Sequence, residues 1–227
     1  MRSIWRTIDR ALVRDALAIA TAVAVVGASF GAITVTSGLP WWLAPALSVL
    51  VFAGGAQFLA VGVVAAGGGA IAAVLGGLLL NSRLLPYSLA ITPTIGTGRL
   101  ARILGSQFVT DETVAFAIAQ ESRERGRAAF WLSGVALFVF WNVGTIAGVL
   151  AGQAIGDPAV FGLDAAFPAA LFALVLPSLR DPGTVRPALL GAAITLAATP
   201  FLPPGVPLLL GLAGLVLAVR RKEVRVA

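Results

Sequence analysis

The chain of 227 residues has no cysteine and no histidine. Their absence excludes a disulfide framework, a thiolate nucleophile, a zinc site built from Cys and His, and an imidazole-ligated haem. Charge is scarce too: 11 % of residues are charged, against about a quarter in a soluble domain. No Gly-rich loop leads into a Lys-Ser/Thr pair, so the chain carries no nucleotide-driven motor of that kind. Ser29, Ser82 and Ser133 lie in apolar stretches with no His to act as base, and no two carboxylates pair at short spacing within a stretch. Catalysis therefore has little to stand on, and the sequence implies neither enzymatic activity nor a metal or other cofactor.

Apolar residues, by contrast, make up 59 % of the chain, and the mean hydropathy is +0.97. They fall into about seven stretches: Asp15–Ser37, Trp41–Val64, Gly69–Ile91, Ala128–Gly152, Ala159–Leu179, Pro187–Pro200 and Pro203–Val219. The first five run to about 21 to 25 residues, enough to span roughly 30 Å of hydrocarbon as helix. The last two, bracketed by Pro200, Pro203, Pro204 and Pro207, read as a tight helical hairpin or as one span plus a half-span. Continuous rather than alternating runs exclude a membrane β-barrel. The expectation is an all-α, polytopic helical membrane protein with a single membrane domain over 15–220, a basic cytoplasmic tail over 1–14 and a second basic tail over 221–227.

The net charge of +6 does not point to nucleic acid, because the arginines cluster at the ends of apolar runs. Arg99, Arg102, Arg123, Arg125 and Arg127 place segment 93–127 in the cytoplasm, as a loop with a short amphipathic helix. Arg180 and Arg186 do the same for 180–186, while 153–158 carries only Asp157 and falls outside. Arg2, Arg6, Arg10 and Arg14 also ask to be inside, which requires an even number of crossings before residue 93, yet three stretches precede it. One of them is then re-entrant or broken, with Gly54-Gly55 and Gly67-Gly68-Gly69 as the suspect places, or else the amino terminus is outside. The spacing of Gly-containing spans before Gly54–Phe58 and before Asp164–Pro168 outlines an inverted repeat of three-helix units. Small residues at four-residue spacing (Gly27 and Gly31; Gly69, Ala73 and Gly77; Gly144, Gly148 and Gly152) read as packing faces within a tight bundle or against a partner.

Candidate site residues are polar groups inside apolar stretches. Asp164 is the one ionisable residue of Ala159–Leu179, and Pro168, four residues on, leaves its backbone carbonyl without a helical donor. A carboxylate and a free acceptor at one place suit an ammonium group, a proton or a small cation; the structural alternative is a carboxylate favoured by a helix start. Arg83, with Asn81 beside it and Pro86 freeing the carbonyl of Ser82, suits a carboxylate. Alternatively Arg83 marks the cytoplasmic end of a shorter helix. Gln57 next to Gly54-Gly55 reads either as a ligand contact or as an interhelical hydrogen bond. Thr110 is a plausible N-cap followed by Asp111 and Glu112, which have a structural explanation and a gating role as alternatives.

Taken in order, Ala53-Gly54-Gly55-Ala56-Gln57-Phe58, Leu80-Asn81-Ser82-Arg83, Thr110-Asp111-Glu112 and Gly162-Leu163-Asp164-Ala165-Ala166-Phe167-Pro168-Ala169 resemble the AzlC family over roughly residues 10 to 222. The resemblance implies the large subunit of a two-component exporter of branched-chain amino acids, working with a small four-helix membrane partner, AzlD. Where the family's Asn-x-Arg motif is usually followed by His, this chain has Leu84. The leading expectation is a proton-coupled exporter of hydrophobic amino acids in the inner (plasma) membrane. Arg83 and Asn81 would hold the substrate carboxylate, Asp164 its ammonium group and the coupled proton, and Phe58 or Phe167 the side chain. An ion channel or carrier of another small solute, and a scaffold without transport, stay open as alternatives.

Overall fold

The structure, a computed structural model, describes residues 7–154, 182–202 and 206–214, together with Phe172, Leu176 and Leu179. All regular elements among the described residues are helical. Asp164, Pro168 and Phe167 lie outside the described residues.

Two long apolar helices form the frame, α1 (Arg10–Thr36) and α8 (Arg123–Ala154), each long enough to cross a membrane. Asp9 starts α1 by accepting from the Leu12 backbone N–H at 2.8 Å. Gly38, at φ 78°, and Pro40 prevent its continuation. The two helices meet through their small residues. Gly27 faces the carbonyl of Trp141, Gly31 that of Thr145, Gly144 that of Ala24 and Gly148 that of Ala28. A Cβ at Gly27 would lie only 2.7 Å from the Trp141 oxygen, so the backbones are in contact and glycine is required. Positions advance together along both helices, which makes them parallel. Arg125 at the start of α8 binds Asp9 at the start of α1 at 2.8 Å and holds that carboxyl below its ordinary pKa. These faces thus pack within the chain rather than against another subunit.

Between these parallel helices the chain makes one net return. α2 (Leu43–Leu50) leads inward from the far end of α1, its Ser48 hydroxyl 3.2 Å from that of Thr145. Phe52, at φ 42°, then reverses the chain. A positive φ is rare for an aromatic residue, and here the ring is held edge-on against Phe138, 5.1 Å away. α3 (Gly54–Ala65) starts against the Trp141 ring and packs Phe58 edge-on against both Phe30 and Trp141. Near its end Val64 lines the same cavity as Leu39, at the end the chain came from. The second apolar stretch is therefore a re-entrant hairpin, broken immediately before Gly54-Gly55.

The third stretch crosses, but not as one helix. α4 (Ala70–Asn81) runs antiparallel to α3, with Gly76 over Leu59 and Leu80 over Gly55. α5 (Leu84–Ile95) continues after a bend of 48°. Pro86 explains the break: a straight helix would drive its ring into the Ser82 carbonyl. That carbonyl is not left free as the sequence suggested, because it accepts from the Leu85 N–H at 3.1 Å. α5 reaches the basic end, where the Arg123 Nε donates to the Pro93 carbonyl at 3.0 Å.

Segment 93–127 holds more than a loop with one helix. α6 (Arg99–Gln107) and α7 (Asp111–Ile118) form a second hairpin that dips alongside α8. Phe108 packs on Gly134, and Ala117 on Gly126, so α7 returns antiparallel to α8. Thr110 caps α7 as expected, exchanging hydrogen bonds with Thr113. Leu137, which lines the same cavity as Asp111, is ten residues beyond Arg127. That is about 15 Å of helix, close to the middle of a bilayer core about 30 Å thick.

Among the described residues two helices, or three counting the bent pair, qualify as spans, while most of the stretch Ala159–Leu179 lies outside the described residues. An inverted repeat would set α1 and α8 antiparallel, whereas they are parallel because the α2–α3 hairpin contributes no net crossing. The amino end and the 93–127 arginines consequently share one side, which removes the conflict in the charge pattern. α9 (Pro182–Ala198) and α10 (Val206–Gly211) pack as a short pair through Gly191 and Gly211.

Candidate functional site

The tips of the two hairpins and the break in the third span meet at one place. The α2–α3 tip supplies Gly54 and Gly55, the α4–α5 break supplies Asn81 and Arg83, and the α6–α7 tip supplies Asp111 and Glu112. These six residues, singled out in the sequence, line one cavity of about 130 Å³. Trp141 and Leu137 of α8 form its wall.

Arg83 Nη2 lies 2.8 Å from Asp111 Oδ2, with the two side chains 46 % and 37 % exposed. The pair is thus only partly covered by the described residues. Gly55 lies against this pair: a Cβ there would stand at ordinary contact distance, 3.5 Å, from the guanidinium and tightly, 3.3 Å, against Leu80. Asp111 Oδ1 is buried without a hydrogen-bond partner among the described residues, and so is the Trp141 indole N–H. Buried polar groups normally find partners, so an unpaired acceptor and an unpaired donor at one cavity are places for a ligand. Arg83 is not at the basic surface: its neighbours Gly55 and Asp111 stand beside the middle of α8.

The carboxylate that meets Arg83 here is Asp111, whereas the sequence suggested Asp164, which lies outside the described residues. Gln57 is on the other side of the α3 first turn, 1 % exposed, with neither amide atom partnered among the described residues. Phe58 is a core side chain, fully buried against Phe30 and Trp141, rather than a wall of this cavity. Trp141 was missed. Within an apolar run a tryptophan carries no signal of its own, and only the fold sets it in the wall of the same cavity as Asp111.

The arrangement defines a class: a helical membrane protein whose polar groups gather at broken and re-entrant helices at membrane depth, where only protein or water can cover them. A family model described as "AzlC protein" matches residues 18–155, more than half of the chain. The chain belongs to the AzlC family, which is associated with branched-chain amino acid transport and commonly works with a small partner subunit. No curated protein and no solved structure matches the chain. The matched region includes Arg83, Asp111 and Trp141.

Proposed function

We propose that the protein is a secondary transporter that exports branched-chain or similar hydrophobic amino acids across the inner membrane. It works by proton coupling and together with a small four-helix AzlD-like subunit. The observation that carries this reading is the half-exposed Arg83–Asp111 pair at the meeting point of both hairpin tips. An amino acid is a zwitterion. Inserted between the two side chains, it exchanges one ion pair for two: its carboxylate on the Arg83 fork and its ammonium group on Asp111, with Glu112 and Asn81 alongside. The exchange leaves no buried charge unpaired, which is the costly outcome in a membrane. While the cavity is empty, Arg83–Asp111 holds the tip of the α6–α7 hairpin to the broken span, so Asp111 and Glu112 act as a gate that substrate opens. Asp164, with the carbonyl released by Pro168, is the proposed carrier of the coupled proton.

The test is reconstitution of the chain with and without the small subunit, with labelled leucine and an imposed pH gradient. Gradient-driven leucine flux that needs both subunits is expected. Ion conductance without amino acid flux would replace the carrier with a channel, and full flux by the chain alone would remove the partner requirement.

A further inference from the structure

A second cavity, about 300 Å³, lies across the first turn of α3 from the charged one, between α2, α3 and α4. Its walls are mostly apolar; on the α3 and α4 sides the small residues Ala56, Ala60, Ala73 and Gly77 alternate with branched ones such as Val61 and Val74. Asn81 lines both cavities. Consecutive residues of one helical turn divide between them, Gly54 and Gly55 toward the first and Ala56 and Gln57 toward the second. The two cavities are thus adjoining compartments.

Two features of the second compartment are unexplained by packing. Gly77 sits in the interior of α4, where glycine weakens a helix relative to alanine. Nothing nearby demands it, since a Cβ there would meet only Ala56, at 3.8 Å or more, an ordinary contact. The space it leaves belongs to the cavity. Gln57, almost wholly buried, keeps both amide atoms unpaired among the described residues, in a place where an apolar residue of similar shape would spare that cost.

We infer that this second cavity is the pocket for the substrate's aliphatic side chain, with Gly77 setting how large that side chain is and Gln57 and Asn81 meeting the polar head at the junction. The inference rests on the amino-acid reading above. An apolar cavity of about 150 Å³ already accommodates a benzene-sized guest, so the pocket holds a leucine or methionine side chain. The charged cavity is left to the ammonium and carboxylate groups.

The test fills the pocket in the reconstituted two-subunit transporter. Gly77→Ala, which fits without a clash, and Gly77→Val should lower the preference for leucine over valine in graded steps. The valine variant should reach about tenfold, the scale on which apolar pockets discriminate by one methylene. Competition between the two labelled substrates reads the ratio directly and is insensitive to the amount of folded protein. An unchanged ratio in both variants overturns the inference, and so does an equal loss of both substrates, as expected if a lipid chain or a helix of the small subunit fills the groove. Wild-type protein that carries no amino acid would overturn the functional reading itself, a distinct outcome.

Discussion

Arg83 and Asp111 show how a charged residue's role depends on the partner the fold brings to it. Arg83 Nη2 meets Asp111 Oδ2 at 2.8 Å, and the pair is only half covered. A lysine at position 83 keeps the charge but loses the planar fork that grips a carboxylate with two parallel bonds. Arg83→Lys is expected to raise KM for the amino acid by about tenfold or more, the worth of one hydrogen bond to a charged group. Expression and assembly with the partner should be unaffected. Concentration-dependent uptake into proteoliposomes measures it, and an unchanged KM would remove Arg83 from the site.

At the scale of elements, the parallel contact of α1 and α8 holds everything else in place. It depends on carbonyl oxygens of one helix seated where the other has glycine. In Gly148→Ala the new methyl would be forced onto the Ala28 carbonyl, a backbone atom that has no rotamer to escape into. Overpacking of this kind costs about 1–3 kcal/mol or more. The variant is expected to melt earlier in detergent, whereas Gly69→Ala, in open space at the start of α4, should melt with the wild type. Equal melting of Gly148→Ala and wild type would mean that the two helices are not in backbone contact.

Over residues 10–154 the chain alternates crossing and re-entrant elements: α1 crosses, α2–α3 dips from the far end, α4–α5 crosses with a break, α6–α7 dips from the basic end, and α8 crosses. The two dipping tips bring glycine backbone and carboxylates to the Arg83 break from opposite sides, a geometry suited to gating a site from either face. Because α1 and α8 are parallel, exposed positions Ala11 and Gly98 should share one side and Ser37 should face the other. The native chain has no cysteine, so single cysteines at these three positions can be labelled in intact cells with an impermeant reagent. Ser37→Cys alone is expected to react. Reaction at Gly98→Cys but not Ala11→Cys would contradict the parallel frame.

The sequence by itself determined the membrane class and the helical content, and it marked singly the residues that the fold brings to the charged cavity. Gly54, Gly55, Asn81, Arg83, Asp111 and Glu112 each stood out because a polar or flexible residue is conspicuous in an apolar stretch. The cap at Thr110 was legible for a local reason, a hydroxyl that satisfies a backbone N–H. At Pro86 the sequence suggested a freed Ser82 carbonyl, where the fold breaks the helix and the Leu85 N–H takes that carbonyl. Tertiary structure decided what local rules do not reach. Hydropathy counts apolar residues without registering where the chain reverses. The charge pattern and Gly54-Gly55 left Trp41–Val64 or a neighbouring stretch open to re-entry, and only the fold shows that Phe52 turns this one back. The choice of Asp111 as partner of Arg83 depends on a hairpin folded against α8, and Trp141 gains its role only from the cavity wall it forms there. Small-residue spacing announced a close contact but not its partner, because a glycine face is equally suited to a helix of the same chain and to one from another subunit.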